Sequence, residues 1–101
     1  MMSSWAGPSG DAFAVMVRRR LGGVPGAEVN VTPLGGEPPA SFLVEVGWSA
    51  GGLLCEVSDS VNGVRVLDDD GEDVSVEAAL RYIAARAAGI SKSGAWRQAK
   101  F

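Results

Sequence analysis

The sequence predicts an α+β fold: a helix, a four-stranded antiparallel sheet and a second helix, with both helices packed on one sheet face. Three observations carry that expectation. Segments with helical apolar spacing lie near the two ends of the chain, at residues 13–21 and 76–87. Between them lie four short segments of alternating polarity, and turn-forming residues such as Gly51-Gly52 and Asn62-Gly63 join most of them. Short connections make sequential strands antiparallel neighbours, and helices gathered on one face are the simplest cover for its apolar side.

Residues 1–10 combine Ser, Gly and Pro with a lone Trp5 and are expected to form a flexible N-terminal arm ahead of a single domain at 11–90. Asp11 suits a helix start, and Phe13, Met16, Val17 and Leu21 fall at helical spacing. Arg18, Arg19 and Arg20 sit where cations favour a helix C-terminus, and Gly22-Gly23 ends the element.

Ala27, Val29 and Val31 alternate with Glu28, Asn30 and Thr32 in the first strand, which Pro33 closes because it has no N–H to donate. In the second strand Phe42, Val44, Val46 and Trp48 alternate with Leu43 and Glu45. Gly51-Gly52 is expected to form the next turn. Leu53, Cys55 and Val57 then share one face of the third strand, with Leu54 and Glu56 on the other. Asn62-Gly63 tolerates positive φ and introduces a short fourth strand at 64–67, expected at a sheet edge.

Ser75 can cap the last helix, in which Val76, Ala79, Leu80, Ile83, Ala84 and Ala87 form one apolar stripe. Gly89 is placed to end it, with Ile90 folding back on the final turn. Residues 91–101 remain as a basic-aromatic tail carrying Lys92, Trp96, Arg97, Lys100 and Phe101.

Composition narrows function mainly by exclusion. The chain has 101 residues, 47% hydrophobic and 21% charged, which fits one globular core rather than disorder. Its net charge of -3 gives no global field for nucleic acid or anionic lipid, and no apolar run is long enough for a membrane span. One cysteine, Cys55, permits no intrachain disulfide, so a reducing, cytoplasmic setting is expected. The absence of histidine removes Ser-His-Asp and Cys-His nucleophile sites and His-based zinc sites. Cys55 lies between Leu54 and Glu56 within a strand and reads as a small buried hydrophobe. The glycine pairs lack phosphate-loop spacing, and the Lys92-Ser93 pair follows a helix where a phosphate loop would precede one. No enzyme, cofactor or metal is therefore expected.

The dense polar feature is Asp68, Asp69, Asp70, Gly71, Glu72 and Asp73, five carboxylates in six residues before a helix. It has three readings. The first is a solvated turn whose acids the helix dipole favours. The second is a calcium loop with Asp68, Asp70 and Glu77 at its third, fifth and twelfth positions and Gly71 at its sixth, though Val66 then occupies the first. The third is an acidic surface offered to a basic partner.

Residues 68–77 hold six acids and no base, leaving six acids and nine bases elsewhere, a net of -6 against +3. The face opposite the core would carry Glu45, Glu56 and Arg65 but also Leu43, Leu54 and Leu67, which strict alternation keeps out of the core. An exposed apolar sheet face is a partner-binding candidate, and a loop cover or a homodimer would bury the leucines equally well.

The order helix, antiparallel strands, helix over residues 11–88 resembles the double-stranded-RNA-binding domain. That family places lysines at the start of its second helix, where this chain has Asp73 and Glu77, so the resemblance implies a fold and transfers no binding residue. The function expected is a non-enzymatic protein-interaction module of inhibitor, immunity or adaptor type. It would bind a basic partner protein through Asp68, Asp69, Asp70, Glu72, Asp73 and Glu77, the sheet face, and the tail residues Trp96, Arg97, Lys100 and Phe101. The alternative is a nucleic-acid-binding module using Arg18, Arg19, Arg20 and the tail.

Overall fold

A computed structural model describes residues 10–34, 41–58, 64–67 and 73–99. Its elements in chain order are α1 (Gly10–Arg20), β1 (Glu28–Pro33), β2 (Ser41–Trp48), β3 (Gly51–Ser58), β4 (Val64–Val66), β5 (Asp73–Val74), α2 (Val76–Ala87) and α3 (Lys92–Ala99). The strands form one antiparallel sheet in the order β1-β2-β3-β4-β5, and α1 and α2 pack against it. This is the small α+β fold with helices on one face that the alternation and the two apolar stripes predict.

Helix α1 forms because Phe13, Ala14 and Val17 recur on one face, and all three are buried, as is Leu21 just beyond the last turn. Its first residue, Gly10, has room for no side chain, because a Cβ there would lie 2.6 Å from that of Phe42. The core between helices and sheet is filled by Val29, Val44, Val46, Leu53, Cys55, Val57, Val64 and Val66, all on the inward face of their strands. Cys55 is fully buried there, as its strand position predicts.

The β2–β3 turn differs from expectation. Trp48 pairs with Gly51 and Gly47 with Gly52, so the turn is Ser49-Ala50 and both glycines belong to β3. Gly52 is required there for space, since a Cβ would sit 2.7 Å from the Val46 carbonyl oxygen. The strand β4, expected at an edge, lies between β3 and β5. A two-residue strand such as β5 is too short to display alternation, which is why the pattern missed it.

Helix α2 begins as predicted: the Ser75 hydroxyl accepts from the Ala78 N–H at 3.1 Å. It ends in a Schellman motif, with Gly89 at φ +90°, its N–H on the Arg86 carbonyl, and the Ile90 N–H on the Ala85 carbonyl at 3.0 Å. Its buried set is wider than one stripe, because Tyr82 and Ala85 are buried beside Ala79, Leu80 and Ile83. The cause is α3, which occupies residues 92–99 of the segment expected to be a tail. There Ser91 accepts from the Gly94 N–H, Ala95 is fully buried, and Trp96 stacks on Tyr82 with ring centroids 4.2 Å apart and planes inclined by 31°. Eight residues with two core-facing side chains and a glycine carry no helical periodicity to detect.

Candidate functional site: the outer sheet face

Alternation puts every second strand residue on the side away from α1 and α2, and the strand register sets these residues in rows. One row runs Thr32, Leu43, Glu56, Arg65, and the next runs Asn30, Glu45, Leu54. Leu67 joins the second row by donating its N–H to the Leu54 carbonyl at 2.9 Å. The third row is Glu28, Gly47, Gly52. Leu54 and Leu67 are 38% and 41% exposed, so register holds and the leucines are not core residues. No described element covers this face.

A shallow concavity of about 550 Å³ lies on it, walled by Glu28, Asn30, Glu45, Leu54 and Leu67 with Gly47 and Gly52 as its floor. The glycines supply no side chains, so the peptide planes themselves are the surface. Glu56 has a cation nearby, Arg65 Nη1 at 3.6 Å. Among the described residues no cation pairs with Glu28 or Glu45, which leaves the face net acidic around a group of leucines.

The expected site residues fall in different places. Asp68, Asp69, Asp70, Glu72, Lys100 and Phe101 lie outside the described residues. The backbone of Asp73 pairs with Arg65 in β5. Glu77 stands in the first turn of α2, where Arg20 donates to both its carboxylate oxygens at 2.8 and 3.0 Å and Arg81 donates at 3.2 Å. Hydrogen bonding from Arg20, opposed by some desolvation and aided by the charges of Arg20 and Arg81, holds its carboxyl below the usual glutamate range. Its charge is thus offset by two guanidinium groups, and less of it reaches solvent than the count of six acids in ten residues implies. Val66, the first position of the calcium-loop reading, is a core residue at 1% exposure.

Trp96 turns inward onto Tyr82, with its indole N–H buried and without a hydrogen-bond partner among the described residues. Tyr82 in turn accepts a 2.9 Å hydrogen bond from Arg86, whose guanidinium carbon lies 5.7 Å from the ring centre. Arg97 is exposed on α3. The arginine run is partly committed as well, since Arg18 donates to the Val29 carbonyl at 3.1 Å and Arg20 holds Glu77.

Glu28, Asn30 and Gly47 were not among the sequence-derived site residues. Alternation in β1 already assigns Glu28 and Asn30 to the polar face, but only the register reveals that Glu28 lies across from Gly47 and diagonal to Glu45. Among the described residues, no helix is long and apolar enough to cross a membrane, and no group of three or more Cys, Asp or Glu side chains is placed to hold a metal ion. Comparison with protein-family models, curated proteins and solved structures returns no match to this chain.

Proposed function

We propose that this chain is a non-enzymatic protein-interaction module, of inhibitor, immunity or adaptor type, that docks a basic partner protein on the outer face of its sheet. One observation carries the reading: a face with solvent-exposed leucines and two carboxylates lacking a described counter-ion is left uncovered by every described element. Apolar surface grouped with acids on an otherwise well-buried small domain has a cost in water that a cationic, partly apolar partner removes. The acids Asp68, Asp69, Asp70 and Glu72, which follow Leu67 in the sequence, add to the negative charge such a module offers a basic partner.

Nucleic-acid binding is the weaker reading. Two of the three arginines it needs are engaged within the fold, and releasing them would forfeit those bonds before any phosphate is gained.

The test is affinity capture from the native host with wild-type protein and with the double variant Leu54→Asp, Leu67→Asp as baits, followed by reconstitution from purified components. Both leucines are exposed, but an aspartate at position 54 faces Glu45 across the β2–β3 pair, so the fold of the variant is verified by circular dichroism before capture. A partner retained by wild type, lost by the variant and bound more weakly as salt rises supports the reading. Equal capture by both baits, or submicromolar nucleic-acid binding at about 150 mM salt, refutes it.

A further inference from the structure

Gly47 lacks the reasons that explain other glycines in this fold. Gly10 and Gly52 are forced by close neighbours, while Gly26 and Gly89 adopt positive φ at 72° and 90°. A Cβ on Gly47 would meet nothing within 4 Å, and its φ is not in the left-handed region. A glycine inside a strand costs stability relative to a residue with a side chain, and it often marks a place where something approaches the backbone closely.

Its surroundings identify what approaches. Glu28 is its cross-strand partner and Glu45 lies two residues away on the same face, so the two carboxylates flank the bare peptide planes. Diagonal like charges repel, and the acids Glu56 and Glu77 are each provided with an arginine. A second copy of this chain would set these acids against themselves. Strand addition is also poorly served: Arg18 occupies the Val29 carbonyl on the β1 edge, Pro33 has no N–H, and β5 at the other edge has only two residues.

Resting on the docking reading of this face, we infer that its occupant is a protein segment that lays an arginine side chain across Gly47, between Glu28 and Glu45, and sets aliphatic side chains against Leu54 and Leu67. A guanidinium is flat enough to lie on exposed peptide planes and forks to meet carboxylates bidentately. A lysine ammonium does neither. The missing side chain at Gly47 is the space the guanidinium fills.

The test titrates the isotope-labelled full chain with three short blocked peptides, alternating Arg and Leu, Lys and Leu, or Glu and Leu, and follows backbone amide resonances. The Arg-Leu peptide should shift Glu45, Gly47, Gly52 and Leu54 saturably, the Lys-Leu peptide should bind about threefold more weakly, and the Glu-Leu peptide should not bind. Gly47→Thr should weaken Arg-Leu binding about tenfold while its melting temperature stays level or rises by about 2–6 °C, and Glu45→Gln should flatten the salt dependence.

The inference is overturned if Arg-Leu shifts arise elsewhere or not at all, if Lys-Leu binds as tightly, or if Gly47→Thr binds like wild type. It is also overturned if the same resonances move with protein concentration alone, which would put a second copy on the face. A host partner that needs Leu54 but ignores Gly47→Thr would remove the arginine seat and leave the docking reading standing. A partner indifferent to Leu54→Asp would remove the docking reading itself.

Discussion

Replacing Trp96 with alanine tests whether α3 is an integral part of the fold. An isolated helix of eight residues is well below the ~12–15 needed for even marginal stability in water, so α3 is held by its contacts with α2. The Tyr82–Trp96 stack is worth about 0.5–1.5 kcal/mol beyond burial. Truncating a fully buried aromatic costs about 3–5 kcal/mol, and Trp96 is mostly but not fully buried, so roughly three-quarters of that, about 3 kcal/mol, applies. Against this, its indole N–H is buried without a hydrogen-bond partner among the described residues, a penalty of about 1–3 kcal/mol that truncation relieves. The net loss expected for Trp96→Ala is about 1.5–2.5 kcal/mol, a sizeable share of the ~5–15 kcal/mol typical for a domain of this size.

Urea denaturation followed by far-ultraviolet circular dichroism measures it, and the m-value should also fall because undocked α3 exposes surface before unfolding. Trp96→Phe keeps a ring on Tyr82 and discards the orphaned N–H, so it should lie within about 0.5 kcal/mol of wild type or be more stable. A loss below about 0.5 kcal/mol for Trp96→Ala, or equal losses for Ala and Phe, would refute the reasoning.

Other consequences concern α2 and its ties. Ile83 is fully buried and Leu80 nearly so; truncating either to alanine removes three buried carbons at ~0.8 kcal/mol each and leaves a cavity, a loss of about 2.5–4 kcal/mol in the same urea experiment. Val15→Ala, at a position 43% exposed on α1, is the control and should cost under about 1 kcal/mol. Glu77, with its carboxyl held below the ordinary range, contributes stability that is present above that range and disappears as pH falls through it towards the lowered folded value. Paired melts of wild type and Glu77→Gln should therefore converge on acidification, and a gap that is constant or widens as pH falls would show that the Arg20–Glu77–Arg81 ties do not act this way.

How far the sequence reaches follows from the length scale of each signal. Helices α1 and α2 and the strands β1 to β3 are legible because each repeats its period several times, the three-residue β4 is legible from the Asn62-Gly63 signal ahead of it, and the outward leucines Leu43, Leu54 and Leu67 follow from alternation. Tyr82 is not legible as a core residue, since it lies off the stripe of Ile83 and Ala79 and is buried only because α3 covers it. Gly51 and Gly52 read as a turn by composition, yet pairing with Trp48 and Gly47 draws them into β3. Glu28, Gly47 and Glu45 become one site only through register, a long-range property no local pattern contains. Glu77 was assigned to an acidic surface because sequence counts charges without showing that Arg20, far away in the chain, reaches it.

The most direct test of the docking surface is carboxyl labelling of the native protein, alone and saturated with its reconstituted host partner, read residue by residue by mass spectrometry. The docking account predicts that Glu28 and Glu45 are modified freely in the isolated chain and protected in the complex, while Glu77, on α2, changes little. Unchanged labelling of Glu28 and Glu45 on partner binding would contradict it.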